Sequence, residues 1–191
     1  MLPNKLPPGW MTIRDCVALD MHASRVPEGG IIVEVGSFFG RSACVLANAA
    51  KGSTVYCIDR WIKGAKISQK AIDNMNSPDY TYLDDHLAGF LHYTRDYPNI
   101  IPIKGESPLD DVPFERQVDL VFLDGSHNSP GIDNDIRWAY EKLCKPGGLI
   151  MGHDYHEAWP DVIAAVDKFV AEKNMTLFRP IIHSSIWACM L

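Results

Sequence analysis

Five short apolar runs, each closed by turn residues and mostly separated by enough chain for a helix, constrain this fold more than any other feature. They are GIIVEVG at 30–36, STVYCID at 53–59, NIIPIKG at 99–105, VDLVFLDG at 118–125 and GGLIMGHD at 147–154. Val, Ile and Leu continuing over five or six positions, without alternating polar residues, is the pattern of strands buried on both faces. Helical spacing fills the intervals. GRSACVLANAA follows the first run and YLDDHLAGFLHYTRDY precedes the third. After the fourth, GIDNDIRWAYEKLCKPGG repeats Ile132, Ile136, Ala139 or Tyr140, and Leu143 at three- and four-residue steps, then stops at Pro146-Gly147-Gly148. After the fifth, PDVIAAVDKFVAEK has Pro160 in its first turn and Val162, Val166, Phe169 and Val170 on one face. Alternation of this kind predicts an α/β fold whose mostly parallel sheet is covered by helices on both sides.

The two ends read differently. WMTIRDCVALDMHASRV predicts a covering helix within residues 1–28, ended by Pro27 and the Gly29-Gly30 break. In MTLFRPIIHSSIWACML two apolar runs sit around HSS with no room for a crossover helix, so they predict an antiparallel pair at one sheet edge. The polar segment 62–80, broken by Pro78, has no predicted element; loops of that length commonly cover a site, and it is read as an active-site loop. A length of 191 residues with 47% hydrophobic content suits one domain over 1–191.

Charge narrows the function. A net charge of −6, with no run of five basic residues, is the wrong sign for a chain that lives by neutralising phosphates, so no nucleic-acid partner is expected. Cys16, Cys44, Cys57, Cys144 and Cys189 are scattered without a CxxC pair, which predicts buried, reduced thiols. No apolar run approaches membrane-spanning length and the start lacks a signal-peptide core, so the expectation is a cytoplasmic protein with no membrane partner.

The turn in IIVEVGSFFGRS fits neither familiar phosphate loop. A P-loop needs GxxxxGK[ST], whereas Gly36 to Gly40 is one residue short and Arg41 replaces the lysine. The dinucleotide pattern GxGxxG fails at Phe38. What is left is a tight strand-to-helix turn on which a ligand can lie close to backbone, preceded by Glu34, an acid inside a greasy strand that needs a donor or a cation. Open parallel sheets bind ligands beyond the carboxyl ends of their strands, and polar residues collect at all five ends here. The first gives Glu34 and Gly36, the second Asp59, the third Gly105-Glu106-Ser107, the fourth Asp124 through His127, and the fifth His153-Asp154. Asp59 stands where an acid accepts hydrogen bonds from a ribose.

EVGSFFGRSA, VYCIDRW, KGESP, VDLVFLDGSHN and LCKPGGLIMGHDY, in this order, resemble the class I S-adenosylmethionine-dependent methyltransferases, and within them the small-molecule O-methyltransferases of catechol and macrocin type. The resemblance implies a Rossmann-like three-layer sandwich with a seven-stranded, mostly parallel sheet and the last strand antiparallel. It implies S-adenosylmethionine as cofactor. Glu34 and the Gly36–Gly40 turn with Ser37 would serve its methionine end, Asp59 and Arg60 the ribose side, and Gly105, Glu106 and Ser107 the adenine side, with Asp124 closing the site. Arg41 and Ser42 open the next helix, and Trp61 either borders the cofactor or packs in the core.

The same likeness assigns His127, three residues after Asp124, as the general base that takes the acceptor's proton; an imidazole suits that task near neutral pH. Asp124 and Asp154 match positions that hold Mg²⁺. Tyr155 stands where the catechol-type enzymes have an asparagine ligand, which leaves metal dependence open; His153 could orient the carboxylate, and His156 has no expected role. The segment 62–80, the N-terminal helix and the Tyr155–Trp159 loop would select a small-molecule acceptor, with Tyr80, Tyr82, His156 and Trp159 favouring an aromatic one. Homodimer formation through an edge or the N-terminal helix is compatible with the resemblance. Two rivals stand beside this reading: an inactive cofactor-binding scaffold of the same fold, and a nicotinamide-dependent oxidoreductase, against which the missing GxGxxG argues.

Overall fold

All five runs form strands in the computed structural model, which describes residues 1–114 and 117–191. They are β1 (Ile31–Val35), β2 (Thr54–Asp59), β3 (Ile100–Lys104), β4 (Val118–Leu123) and β5 (Cys144–Gly152), and the tail adds β6 (Leu177–Phe178) and β7 (Trp187–Met190). The seven strands form one sheet in the order β3-β2-β1-β4-β5-β7-β6. Neighbours among β1 to β5 run parallel, and β7 runs antiparallel to both β5 and β6. The pair expected from the tail therefore forms, with β6 at the edge and the reversed β7 one place inside it.

Side chains alternate across the sheet and build two cores. Ile32, Val55, Leu120 and Phe122 pack with α1 (Ile13–Ala23), α2 (Arg41–Ala49) and Phe90 of α4 (His86–Thr94). Val33, Val35, Val121 and Leu123 face α5 (Gly131–Trp138) and α6 (Pro160–Lys173). Three layers result. The covering helix α1 starts at a capping box in which Thr12 and Asp15 satisfy each other's backbone N–H groups, which fixes where the chain turns onto the sheet.

Three expectations need correction. The helix after β4 does not stop at Pro146; it runs through a π-helical turn over Ala139–Leu143, and β5 begins at Cys144. Pairing slips between Val118↔Cys144 and Leu120↔Leu149, so Lys145–Gly148 bulges out of the ladder, with Gly147 at φ +76. β3 is not buried on both faces: it is an edge strand with Ile101 exposed and Pro102 in mid-strand, where a missing N–H costs least. Segment 62–80 holds one short helix, α3 (Gln69–Asp73), capped by Ser68 and anchored by Ile72 and Met75. All five cysteines are buried and unpaired. Among the described residues no helix is long and apolar enough to cross a membrane.

Register aligns the strand ends. Val35 pairs with Ile58 and Leu123, and Leu123 with Gly152, so β1, β2, β4 and β5 end within one residue of a common row. The next residues, Gly36, Asp59, Asp124 and His153, stand side by side at that rim.

Candidate active site

A cavity of about 640 Å³ opens at the carboxyl ends of β1 to β5. Its wall brings together Gly36, Ser37, Asp59, Arg60, Gly105, Glu106, Ser107, Asp124, His127 and Asp154, all expected from the sequence. The turn after β1 is fitted tightly against the loop after β4. Gly36 has φ +87, and a Cβ there would lie 2.1 Å from the Asp124 carbonyl oxygen, so no side chain is tolerated. Phe38 has φ +45, a costly conformation for a bulky residue. It is held from both sides: its N–H donates to Asp59 Oδ2 at 2.9 Å, and its carbonyl accepts the Trp61 indole N–H at 2.8 Å. Asp59 Oδ1 accepts the Trp61 backbone N–H at 2.8 Å. Asp59 thus staples the turn and keeps lone pairs for a ligand.

Two expected contacts are displaced from the wall. Glu34 is fully buried and does not line the cavity. Burial raises its carboxyl to about 7, partly offset by the nearby hydroxyls of Ser37 and Ser42, both of which are on the wall. Gly40 also misses the wall; at φ +86 it begins α2, and a Cβ would meet Thr94 Cγ2 at 2.6 Å, so its small size serves packing against α4. Trp61 is core, its ring tilted against that of Phe90 at 4.7 Å between centroids.

At the other end lies a cluster of carboxylates and imidazoles. His127 Nε2 is 2.7 Å from Asp154 Oδ2 and 3.4 Å from Asp124 Oδ1. His153 Nδ1 is 3.2 Å from Asp154 Oδ1 and 3.6 Å from Asp124 Oδ1, while its Nε2 faces Asp15 Oδ2 at 3.4 Å. Burial alone would lower the His127 pKa, but Asp124 and Asp154 outweigh it and raise it to about 9. Burial opposes ionisation of Asp154, yet His127 and His153 hold its carboxyl well below the usual range. Asp154 itself sits at φ +60. Contrary to expectation, His156 faces the cluster, with Nε2 3.3 Å from Asp154 Oδ1. Tyr155 points away: its hydroxyl donates to Asp167 Oδ1 at 2.7 Å. Ligand atoms of Asp124, His127 and Asp154 lie within 4.8 Å of one another, close enough to share one cation. Tyr155, which stands in sequence where the catechol-type enzymes have an asparagine, is not part of this group.

Sequence reasoning missed part of the wall. Pro8, Gly9, Trp10 and Met11 form a strap across it. Buried Arg41 holds the strap from below, donating Nε to the Met11 carbonyl at 2.9 Å and Nη1 to the Pro7 carbonyl at 2.7 Å. From the side, the Trp10 indole N–H donates to the Ala71 carbonyl at 2.7 Å, and Gly9 pairs with Asn76. Segment 62–80 therefore supports the strap but places no residue on the wall, and Tyr80 and Tyr82 are likewise absent from it. Trp159 is present, its ring 4.6 Å from that of His127. Asp135 of α5 also lines the cavity. An acid beside Ile132 and Ile136 on an apolar helix face is the sequence signal that could have found it.

The sheet order, the reversed seventh strand and the cavity across five strand ends define a Rossmann-like methyltransferase fold. The chain belongs to the family described as Methyltransferase domain, whose model matches residues 33–155. It is 29% identical over 151 residues to an uncharacterized protein of Acanthamoeba polyphaga mimivirus, covering 78% of this chain and 62% of that one; the chain thus spans under two thirds of that relative's length. Among solved structures, the precorrin-6y C5,15-methyltransferase of Geobacter metallireducens is similar at TM-score 0.65 and 13% identity, covering 100% of this chain and 94% of that one. The O-methyltransferase TomG of Streptomyces achromogenes, solved with S-adenosylmethionine, gives 0.59 and 17%, covering 94% and 79%. An rRNA methylase of Streptococcus thermophilus gives 0.55 and 16%, covering 91% and 92%. At these identities the likeness is one of fold.

Proposed function

We propose that the protein transfers a methyl group from S-adenosylmethionine to a hydroxyl of a small, flat acceptor. The observation that carries this reading is that Asp59 and the Asp124–His127–Asp154 cluster share one cavity, with the Gly36 turn between them. The wall suits an adenosyl sulfonium. Asp59 offers acceptors to the ribose, Ser37, Ser42 and the turn meet the methionine end with Glu34 beneath them, and Gly105 to Ser107 border the adenine. The cofactor supplies an electrophilic methyl group, so the remaining task is to bring a nucleophilic oxygen into line and remove its proton.

His127 lies against Trp159 on the open side, and we assign it the acceptor's proton. With a pKa near 9 the ring carries its own proton at neutral pH and donates to Asp154. It becomes a base when that proton is displaced. Asp124 and Asp154 would hold a divalent cation, which would supply the positive charge that displaces it and lowers the acceptor's pKa. Trp10, Phe38 and Trp159 offer flat faces to an aromatic acceptor. The net charge of −6 favours a small molecule over RNA.

Calorimetric titration with S-adenosylhomocysteine tests the reading. The folded protein should bind it, Asp59→Ala should weaken binding by about tenfold or more through the lost ribose acceptor, and His127→Ala should bind as the parent does. Absence of heat with either S-adenosylmethionine or its demethylated product at high micromolar concentration would overturn it.

A further inference from the structure

Asp135 is 2% exposed, stands on α5 and reaches the cavity wall next to Ser107. The Ser107 hydroxyl donates to Asp135 Oδ1 at 2.6 Å, a charge-assisted bond that joins the loop after β3 to α5. Burial raises the Asp135 carboxyl to about 6, so at pH 8 it is ionised and can only accept. A hydroxyl has one proton and two lone pairs. Once that proton is committed to Asp135, Ser107 presents only acceptor character to the cavity.

We propose that Asp135 is a positioning residue that polarises Ser107 into an acceptor for the exocyclic amine of adenine, and so sets the base preference of the cofactor site. The inference rests on the S-adenosylmethionine reading above, because it needs the base at the Ser107 end of the wall. That placement follows from the layout: with the ribose at Asp59, the direction of β4 and β5 is taken by the acid–imidazole cluster, and the direction of β3 leads to Ser107. A base with a carbonyl in place of the amine would set two acceptors against each other, and neither could relieve the other.

The test compares S-adenosylhomocysteine with S-inosylhomocysteine by calorimetry at pH 8. The parent protein should prefer the 6-amino ligand by about tenfold or more. Asp135→Asn gives Ser107 an amide donor and frees its hydroxyl proton to point into the cavity. The preference should then fall to about threefold or less, or reverse. Ser107→Ala should also lose it, and that change in a half-buried loop residue keeps the test alive if Asp135→Asn does not fold. Equal weakening of both ligands in Asp135→Asn would show a merely structural role and overturn the inference while leaving the cofactor reading intact. An unchanged preference in both variants would do the same. Failure of the parent to bind either ligand would remove the cofactor reading and this inference together.

Discussion

Glu34 shows what a sequence discloses about one residue and what it does not. An acid in a greasy strand announced a special environment, and the structure gives it one: complete burial, with its proton held to about pH 7. Its absence from the cavity wall was not legible, because the extent of its burial is set by tertiary packing rather than by the strand's own pattern. The linkage has a definite sign. The folded protein keeps a proton that the unfolded chain releases above its ordinary value of 4.5, so stability falls as pH rises from there to about 7 and stays lower above it. Glu34→Gln removes this loss, and at pH 8 relative to pH 4 it should gain up to about 3 kcal/mol. Urea unfolding across that range checks it; parallel stability curves for the two proteins would contradict it. Asp59, Asp124, His127 and Asp154 were legible because polar residues just past apolar strands have few other reasons to recur. Trp10 and Met11 were not: the helical spacing put them in the covering helix, whereas the Thr12 cap starts that helix at Ile13 and leaves both residues on the cavity wall.

Elements were read well where hydrophobic period alone decides them and poorly where backbone irregularity does. β1, β2, β4 and α6 stand where their apolar patterns put them, whereas Pro146-Gly147-Gly148 looked like a helix stop and is a bulge inside β5. Such a bulge is fixed by pairing with β4, a long-range fact. The far end of β5 carries a sharper constraint. A Cβ on Gly152 would lie 2.4 Å from the indole nitrogen of Trp187, a residue with no exposure on the adjacent β7. Gly152→Ala should therefore cost about 1–3 kcal/mol by overpacking. It should also disturb the neighbouring His153. Thermal unfolding with near-ultraviolet circular dichroism checks both effects, and an unchanged melting temperature and indole signal would show that the strands slide apart freely.

For the molecule as a whole, the α/β class and sheet direction were legible because strand–helix alternation leaves few topologies, and the tail's two apolar runs announced the antiparallel edge pair, but not that β7 would lie between β5 and β6. Convergence of the strand ends follows from the common direction of β1 to β5 and their aligned register. The strap over the cavity, tied down by Arg41 and Asn76, is a product of tertiary contact and left no local trace. Function rests on one convergence: a nucleoside end at Asp59 and Ser107 and a reacting end at His127, served by a single ligand. A crystal structure of the protein with S-adenosylhomocysteine tests this most directly. Ribose hydroxyls on Asp59, the base at Ser107 and the sulfur turned toward His127 are the expected result; a ligand seated outside this cavity, or reversed within it, would contradict it.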